Sequence, residues 1–253
     1  MSFMGKASNL FRLLCGKKRP TTAAIILAAG LGTRMQSKDG KTKQLLVLGG
    51  KPLFMHSVLA FDACSAIDEI VLVVKKDEAR EVRRALKQHK IKTPLRLVGG
   101  GETRQESARR GLEAVSESMA YVAVHDAARC LVTPDMIASV ASMAYAHRAA
   151  SAACPMTDTV KQVNEQGFVE RTLDRTKLFR AQTPQIFEAK LYRAATYVAL
   201  EEKLSVTDDN MLLESIGQTV KMVDCGYENI KVTTKEDLLF ARAVLQMREE
   251  ARR

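Results

Sequence analysis

Six apolar residues, Ala23-Ala24-Ile25-Ile26-Leu27-Ala28, run straight into the small-residue loop Ala29-Gly30-Leu31-Gly32-Thr33-Arg34, and this junction limits the folds open to the chain more than any other stretch. A strand that alternates apolar and polar residues covers one face of a sheet, whereas a strand apolar throughout has both faces covered, as in parallel sheets with helices on either side. The same succession recurs downstream. Leu53 to Cys64 carries helical spacing (Leu53, Val58, Leu59, Phe61), Glu69 to Val74 reads as a second buried strand, and Asp77 to Lys90 as a charged helix with an acidic start and a basic end. Leu95 to Val98 leads into Gly99-Gly100-Gly101, Thr103 to Val115 is helical again, and Tyr121 to His125 makes a fourth strand before Asp126-Ala127-Ala128-Arg129. Strand-helix units on such short connections predict an α/β fold with a doubly wound, mostly parallel, Rossmann-like sheet flanked by helices. Ligands of these sheets sit beyond the carboxyl ends of the strands, so the loops at Gly30, Gly101 and Asp126 are expected to converge.

The middle of the chain follows another pattern. Alternation in Asp158-Thr159-Val160-Lys161-Gln162-Val163 and in Phe168-Val169-Glu170-Arg171-Thr172-Leu173, around Asn164-Glu165-Gln166-Gly167, predicts a β-hairpin, and its polarity suggests an arm at about 155–180 projecting from the sheet. Helices near Glu188 to Lys203 and Asp208 to Ile216, a strand over Thr219 to Asp224, a short Asn229 to Thr233 segment and a terminal helix from Lys235 complete the reading. One domain over 21–253, preceded by a basic extension over 1–20, is the expected organisation.

Charge narrows the partners. The formal net charge is +10, from 39 Lys and Arg against 29 Asp and Glu, which suits a nucleic acid or a small polyanion. Lys6, Arg12, Lys17, Lys18 and Arg19 carry half of that excess before the first strand, aromatic residues make up only 5%, and no Arg-rich helix or stacking motif is present. A nucleic-acid-binding module is therefore the weaker alternative to a site for a small anionic ligand. The five cysteines are scattered and form no C-x-x-C pair, so neither a disulfide framework nor a zinc knuckle is indicated, and a cytoplasmic protein is expected. No apolar run reaches the roughly 18–20 residues of a membrane span, so no stable membrane insertion is expected.

The loop after the first strand lacks the third glycine of a dinucleotide fingerprint and the Gly-Lys-Ser/Thr of a Walker loop. By itself it is either a phosphate cradle or a tight turn with incidental glycines. Arg34 and Lys43 follow it with fixed positive charge of the kind that stabilises a negative, pentacoordinate phosphorus. Together, Leu27 to Met35 and Lys43-Gln44 resemble the signature of sugar-phosphate nucleotidyltransferases. The segments Gly100 to Ser107, Val124 to Arg129, Asp158 to Lys161, Thr172 to Arg175, Gln182 to Gln185 and Asn229 to Thr233 resemble, in order, the motifs of the 2-C-methyl-D-erythritol 4-phosphate cytidylyltransferase family, over about Ala23 to Leu245.

The resemblance implies transfer of CMP from CTP to a small polyol phosphate, with Mg²⁺ and release of pyrophosphate, in non-mevalonate isoprenoid synthesis. It implies that Ala28, Ala29, Gly30 and Gly32 wrap the CTP phosphates, that Gly101, Glu102 and Ser107 hold cytosine and ribose, and that Asp126 and Ala127 lie beside the ribose and the phosphates. Asp126 would hold Mg²⁺, directly or through its waters. Arg34, Lys43, Arg175 and Lys231 would carry the catalysis, and Arg129, Thr159, Arg175, Thr207 and Lys231 would grip the acceptor. Thr159 and Arg175 would reach it from a partner subunit's arm in a homodimer. Read singly, Arg129 and Arg175 are also ordinary surface arginines, and Thr207 a helix cap. Ribitol 5-phosphate cytidylyltransferases share the CTP loops and remain the alternative, although Asp158 to Lys161 and Thr172 to Arg175 look like the methylerythritol form. Two positions depart from the family pattern, which has proline where this chain has Thr42 and Cys130, and Lys41 competes with Lys43 for the phosphate.

Overall fold

The apolar junction becomes β1 (Thr22–Leu27), buried along its whole length. In this computed structural model, which describes residues 19–30 and 42–251, the elements that follow are a 3-10 turn (Lys43–Leu45), β2 (Val47–Leu48), β3 (Lys51–Pro52), α1 (Leu53–Ala63), β4 (Glu69–Val74), α2 (Ala79–Lys87), β5 (Leu95–Gly99), α3 (Arg104–Glu113) and β6 (Tyr121–Asp126). The second half contains α4 (Pro134–His147), β7 (Ala149–Pro155), β8 (Lys161–Val163), β9 (Val169–Thr172), a second 3-10 turn (Arg175–Lys177), β10 (Phe179–Glu188), α5 (Ala189–Glu201), α6 (Asp209–Ser215), β11 (Lys221–Asp224) and α7 (Lys235–Glu250).

Seven strands form the main sheet in the order β11-β7-β10-β6-β1-β4-β5. β1 runs parallel to β4 and β6, with Ile25 opposite Val71 on one side and Val124 on the other. β4 pairs parallel with β5, and β7 with β11. β10 alone is antiparallel, between β6 and β7. Its direction has a local cause: the chain returns from β7 to β10 through the hairpin, without the helical crossover that a parallel return needs. The sheet is therefore mostly parallel, as the sequence predicts.

Successive residues of the buried strands serve opposite faces. Ala24, Ile26, Ile70 and Leu72 pack under Phe54, Val58 and Phe61 of α1 and Ile137 and Val140 of α4. Ala23, Ile25, Val71 and Val73 pack under Ala108 and Leu112 of α3 and Tyr192 and Ala195 of α5. A smaller cluster, with Leu48, Leu53, Cys130, Leu131, Val232 and Val244, ties α7 to the loops beyond the sheet. Cys130 is thus a packing residue, and burial pushes its thiol up to about 12. The chain leaves β1 for β4 and β5 on one side and comes back to β6 on the other, so the crevice between β1 and β6 lies at a topological switch point.

The middle segment differs from the sequence reading in extent. Only β8 and β9 belong to the hairpin, paired antiparallel, while its flanks are sheet strands β7 and β10, and α4 precedes them. Alanine dominates β7 (Ala149-Ala150-Ser151-Ala152-Ala153) and has weak β propensity, so the strand carries little local signal; its burial between neighbours makes it one. The Asn229 to Thr233 segment has no regular element and is held by Val232 N–H donating to Ala128 O at 2.8 Å. No helix among the described residues is long and apolar enough to cross a membrane.

Candidate active site

The loops at Gly30, Gly101 and Asp126 do converge, around a cleft of about 550 Å³ at the carboxyl edge of the sheet. On one wall Ala28 N–H donates to Val73 O at 2.7 Å, which fixes the exit of β1 to β4. That amide is therefore committed to the sheet, and Ala29 and Gly30 are the parts of the loop that line the cleft among the described residues. Gly100 N–H donates to Val74 O at 2.8 Å. A Cβ on Gly100 would stand 2.3 Å from the Cβ of Ala29, so only glycine lets the β5 loop lie against the β1 loop.

The opposite wall is built by the start of α3. Thr103 caps the helix, its side chain accepting from Glu106 N–H. Ser107 Oγ accepts from Gly101 N–H at 3.0 Å, Glu106 Oε2 accepts from Glu102 N–H at 2.8 Å, and Arg110 donates to Gly100 O at 2.7 Å. The amides of Gly101 and Glu102 are thus engaged within the wall, and Glu102, Thr103, Arg104 and Ser107 line the cleft beside them.

Asp126, at the end of β6, is the electrostatic centre. Its side chain is bonded by Lys231 Nζ at 2.6 Å and by Arg104 Nε at 3.0 Å. Arg104 also contacts Asp209 at 2.8 Å, and Asp209 accepts from the Tyr192 hydroxyl at 2.6 Å. Burial would raise the Asp126 carboxyl, but Arg104, Lys231 and Arg129 outweigh it and hold it well below the usual carboxylate range. Burial likewise opposes the Arg104 charge, and Asp209 and Asp126 overcome it and raise its pKa. A second cavity of about 240 Å³ lies on the far side, with Arg129, Gln182, Thr183, Thr207 and Asp208 in its wall. Arg104, Asp126 and Lys231 line both cavities, so the two spaces share one charged partition.

Lys43, mostly buried, lines the cleft and donates to Val232 O at 2.9 Å, next to Lys231. Arg129 donates to Asn229 O and Ala181 O, with its guanidinium at the smaller cavity. Thr207 lines that cavity too, and the cap of α6 is Asp208 rather than Thr207. Ala127 is fully buried, donating to Leu27 O at 3.0 Å, and its neighbour Ala128 faces the cleft instead. Thr159 and Arg175 are exposed beside the hairpin and line neither cavity, Arg175 being bonded to Thr157 O. Gly32, Arg34 and Lys41 lie outside the described residues. His125 is fully buried against Phe61 and Thr183, and burial pushes its pKa down to about 3.

Sequence reasoning assigned no role to Arg104, Lys75, Gln44, Thr183, Asp208 or Asp209. Arg104 lies inside a quoted motif, and its charge was the available signal. Its link to Asp209, more than a hundred residues on, had none.

The profile of the family IspD, 2-C-methyl-D-erythritol 4-phosphate cytidylyltransferase, matches residues 22–247. A protein of that name from Caldanaerobacter subterraneus subsp. tengcongensis is 40% identical over 225 residues, 88% of this chain and 98% of the relative. One from a Synechococcus strain is 43% identical over 224 residues, covering 88% and 97%. Among solved structures, 4-diphosphocytidyl-2C-methyl-D-erythritol synthase from Anaerococcus prevotii superposes with a TM-score of 0.81 at 31% identity, covering 90% of this chain and 96% of that one. With the match running from the first strand into the last helix and thus spanning the whole partitioned cleft, the chain belongs to the 2-C-methyl-D-erythritol 4-phosphate cytidylyltransferase family.

Proposed function

We propose that the larger cavity binds CTP, that the smaller one binds 2-C-methyl-D-erythritol 4-phosphate, and that the acceptor's phosphate attacks the α-phosphorus of CTP across the partition to give 4-diphosphocytidyl-2-C-methyl-D-erythritol. One acceptor P–O–P bond forms as the bond to the β-phosphate breaks, and pyrophosphate leaves with its electron pair. The observation that carries this reading is the pair of cavities meeting at Asp126, Arg104 and Lys231. A donor and an acceptor held on opposite sides of one charged wall are placed for an in-line displacement. No general base is needed, because a phosphate monoester is already anionic near pH 7.

Ala29 and Gly30, with Gly32, cradle the triphosphate, and Gly101, Glu102 and Ser107 hold cytosine and ribose. Lys43 and Lys231, with Arg34, offset the charge that grows on the α-phosphate in the transition state. Arg129 and Thr207 hold the acceptor phosphate, and Thr159 and Arg175 complete that pocket from the arm of a second copy, which makes the working enzyme a homodimer. Free, buried cysteines at 64, 130, 154 and 225 support a reducing, cytoplasmic setting.

Among the described residues no group of three His, Cys, Asp or Glu side chains surrounds a metal position. Magnesium at nucleotide sites commonly takes one or two carboxylates and completes its shell with phosphate oxygens and water, so the ionised Asp126, which lines both cavities and whose two oxygens are bonded by Arg104 and Lys231, would hold it through the ion's waters or by giving up one of those partners. Asp126 would then hold an ion whose chemistry is to neutralise the triphosphate charge. The test is pyrophosphate release from CTP with methylerythritol phosphate or ribitol 5-phosphate as acceptor. Turnover with the first supports the assignment, and turnover only with the second reassigns the smaller cavity.

A further inference from the structure

We infer that Glu78, outside both cavities, is a positioning residue for Lys43, acting through a clasp on Thr42; this rests on the function proposed above. Thr42 N–H donates to Glu78 Oε1 at 3.0 Å and Thr42 Oγ1 donates to Glu78 Oε2 at 2.8 Å. Thr42 O accepts from Leu45 N–H at 3.1 Å, so every polar atom of Thr42 is engaged. The residue is only 4% exposed, which makes the loss of these partners costly.

Both side chains forgo the ordinary use of their positions. Thr42 precedes the 3-10 turn and Glu78 precedes α2, yet neither side chain caps its own helix. Each is used on the other, linking segments 36 residues apart. Glu78 is itself fixed by its N–H donating to Lys75 O at 3.2 Å, directly beyond β4. The clasp therefore ties the turn that begins with Lys43 to the end of a central strand. Lys43 is the next residue, and its ammonium donates to Val232 O. With the backbone at 42 anchored at one end and the ammonium at the other, the lysine is held in place before substrate arrives, and a displacement of about 1 Å at such a group can cost up to about a hundredfold in rate.

The test is a mutant cycle read by steady-state kinetics, CTP titration and thermal melting. Glu78→Ala is expected to lower kcat about tenfold while CTP affinity changes less than about twofold. Glu78→Gln, whose amide offers an acceptor to Thr42 N–H and a donor to Thr42 Oγ1, is expected to stay within about twofold of the wild type. Thr42→Val, which removes one of the two bonds, should fall between them. In a Lys43→Ala background Glu78→Ala should cost no further turnover, because the two act as a unit. A wild-type kcat for Glu78→Ala, an equal loss in Glu78→Gln, or an additive loss in the double variant would overturn the clasp. If Lys43→Ala itself were fully active, the reading of the cleft would fall instead, and the melting curves separate either result from a failure to fold.

Discussion

The carboxyl edge of the sheet and the β8–β9 hairpin are both rich in charge, but they are held by different physics. At the edge, Asp126, Arg104, Asp209 and Tyr192 are mostly or wholly out of water and each is bonded to the next. In the hairpin every residue of both strands is exposed, and cross-strand contacts such as Lys161 to Thr172 and Arg171 to Gln162 lie in solvent. Val163, Phe168 and Val169 stand 50%, 72% and 59% exposed there. The charges named at the edge find their partners within one chain. The hairpin keeps apolar side chains in water, at about 25 cal/mol per Å², and such a feature is accounted for when another surface covers it.

The sharpest way to probe the edge is Lys43→Ala. Its kcat is expected to fall about 10²–10³-fold, with the KM for CTP nearly unchanged, since the lost charge acts where negative charge grows. Steady-state pyrophosphate release checks this. Parallel losses in rate and affinity would make Lys43 a ground-state contact.

Arg175→Ala probes the hairpin side and should lower kcat/KM for the acceptor by about 10–100-fold, the worth of a charge-assisted hydrogen bond, while leaving CTP binding alone. Mixing Lys43→Ala and Arg175→Ala chains separates the two regions further. If the arm serves a partner's site, mixed dimers regain one intact site and activity returns. If the arm serves its own chain, every site keeps a lesion and none returns, which would break the comparison.

Acid should act on the edge as well. His125 is buried and titrates at about 3 in the folded chain, against roughly 6.5 when unfolded. Its pKa is lowered by folding, so the stability it permits is full above the unfolded value and is lost as pH falls from about 6.5 towards 3, with a slope near 1.4 kcal/mol per pH unit. Denaturant melts of the wild type and His125→Gln across this range should differ by that slope. Equal slopes would mean that the imidazole is already protonated in the fold.

These regions also differ in how far the sequence foretold them. β1, β4 and β6 were legible because burial on both faces writes itself as an unbroken apolar run. Gly100 to Ser107 was legible because a run of glycines between a strand and a helix is a local signal. β7 and β10 were not, because alanine-rich and polar strands acquire their burial from neighbours such as β6 and β11 that lie far away in sequence. In the cleft, Lys43 and Lys231 stood out by motif, whereas the partition that Lys231 forms with Asp126 and Arg104 depends on pairings 105 and 22 residues apart. The hairpin was legible as a turn between alternating strands.

Gly100→Ala tests the close approach behind the cleft. The added Cβ meets Ala29 at 2.3 Å, so one of the two loops must move, with an expected cost of about 1–3 kcal/mol in stability and a weaker CTP complex. Isothermal titration and denaturant melts read both. A fully stable variant with normal CTP affinity would show that the loops have more room than their packing implies.

The smallest effect is expected at Val169→Ala, and it tests the hairpin most directly. At 59% exposure the side chain buries little in its own chain, so at dilutions where light scattering gives the mass of a single chain the change in unfolding free energy should stay below about 0.5 kcal/mol. The same truncation at Val71, which is fully buried between β1 and β5, opens a cavity in the core and must cost more. At higher protein concentration, a partner copy resting on the hairpin would make the melting temperature of the wild type rise with concentration by mass action, and that of Val169→Ala rise less. A loss above about 1 kcal/mol in the dilute chain would place Val169 against its own core; the hairpin would then be held by the same burial as the edge, and the contrast between the two regions would disappear.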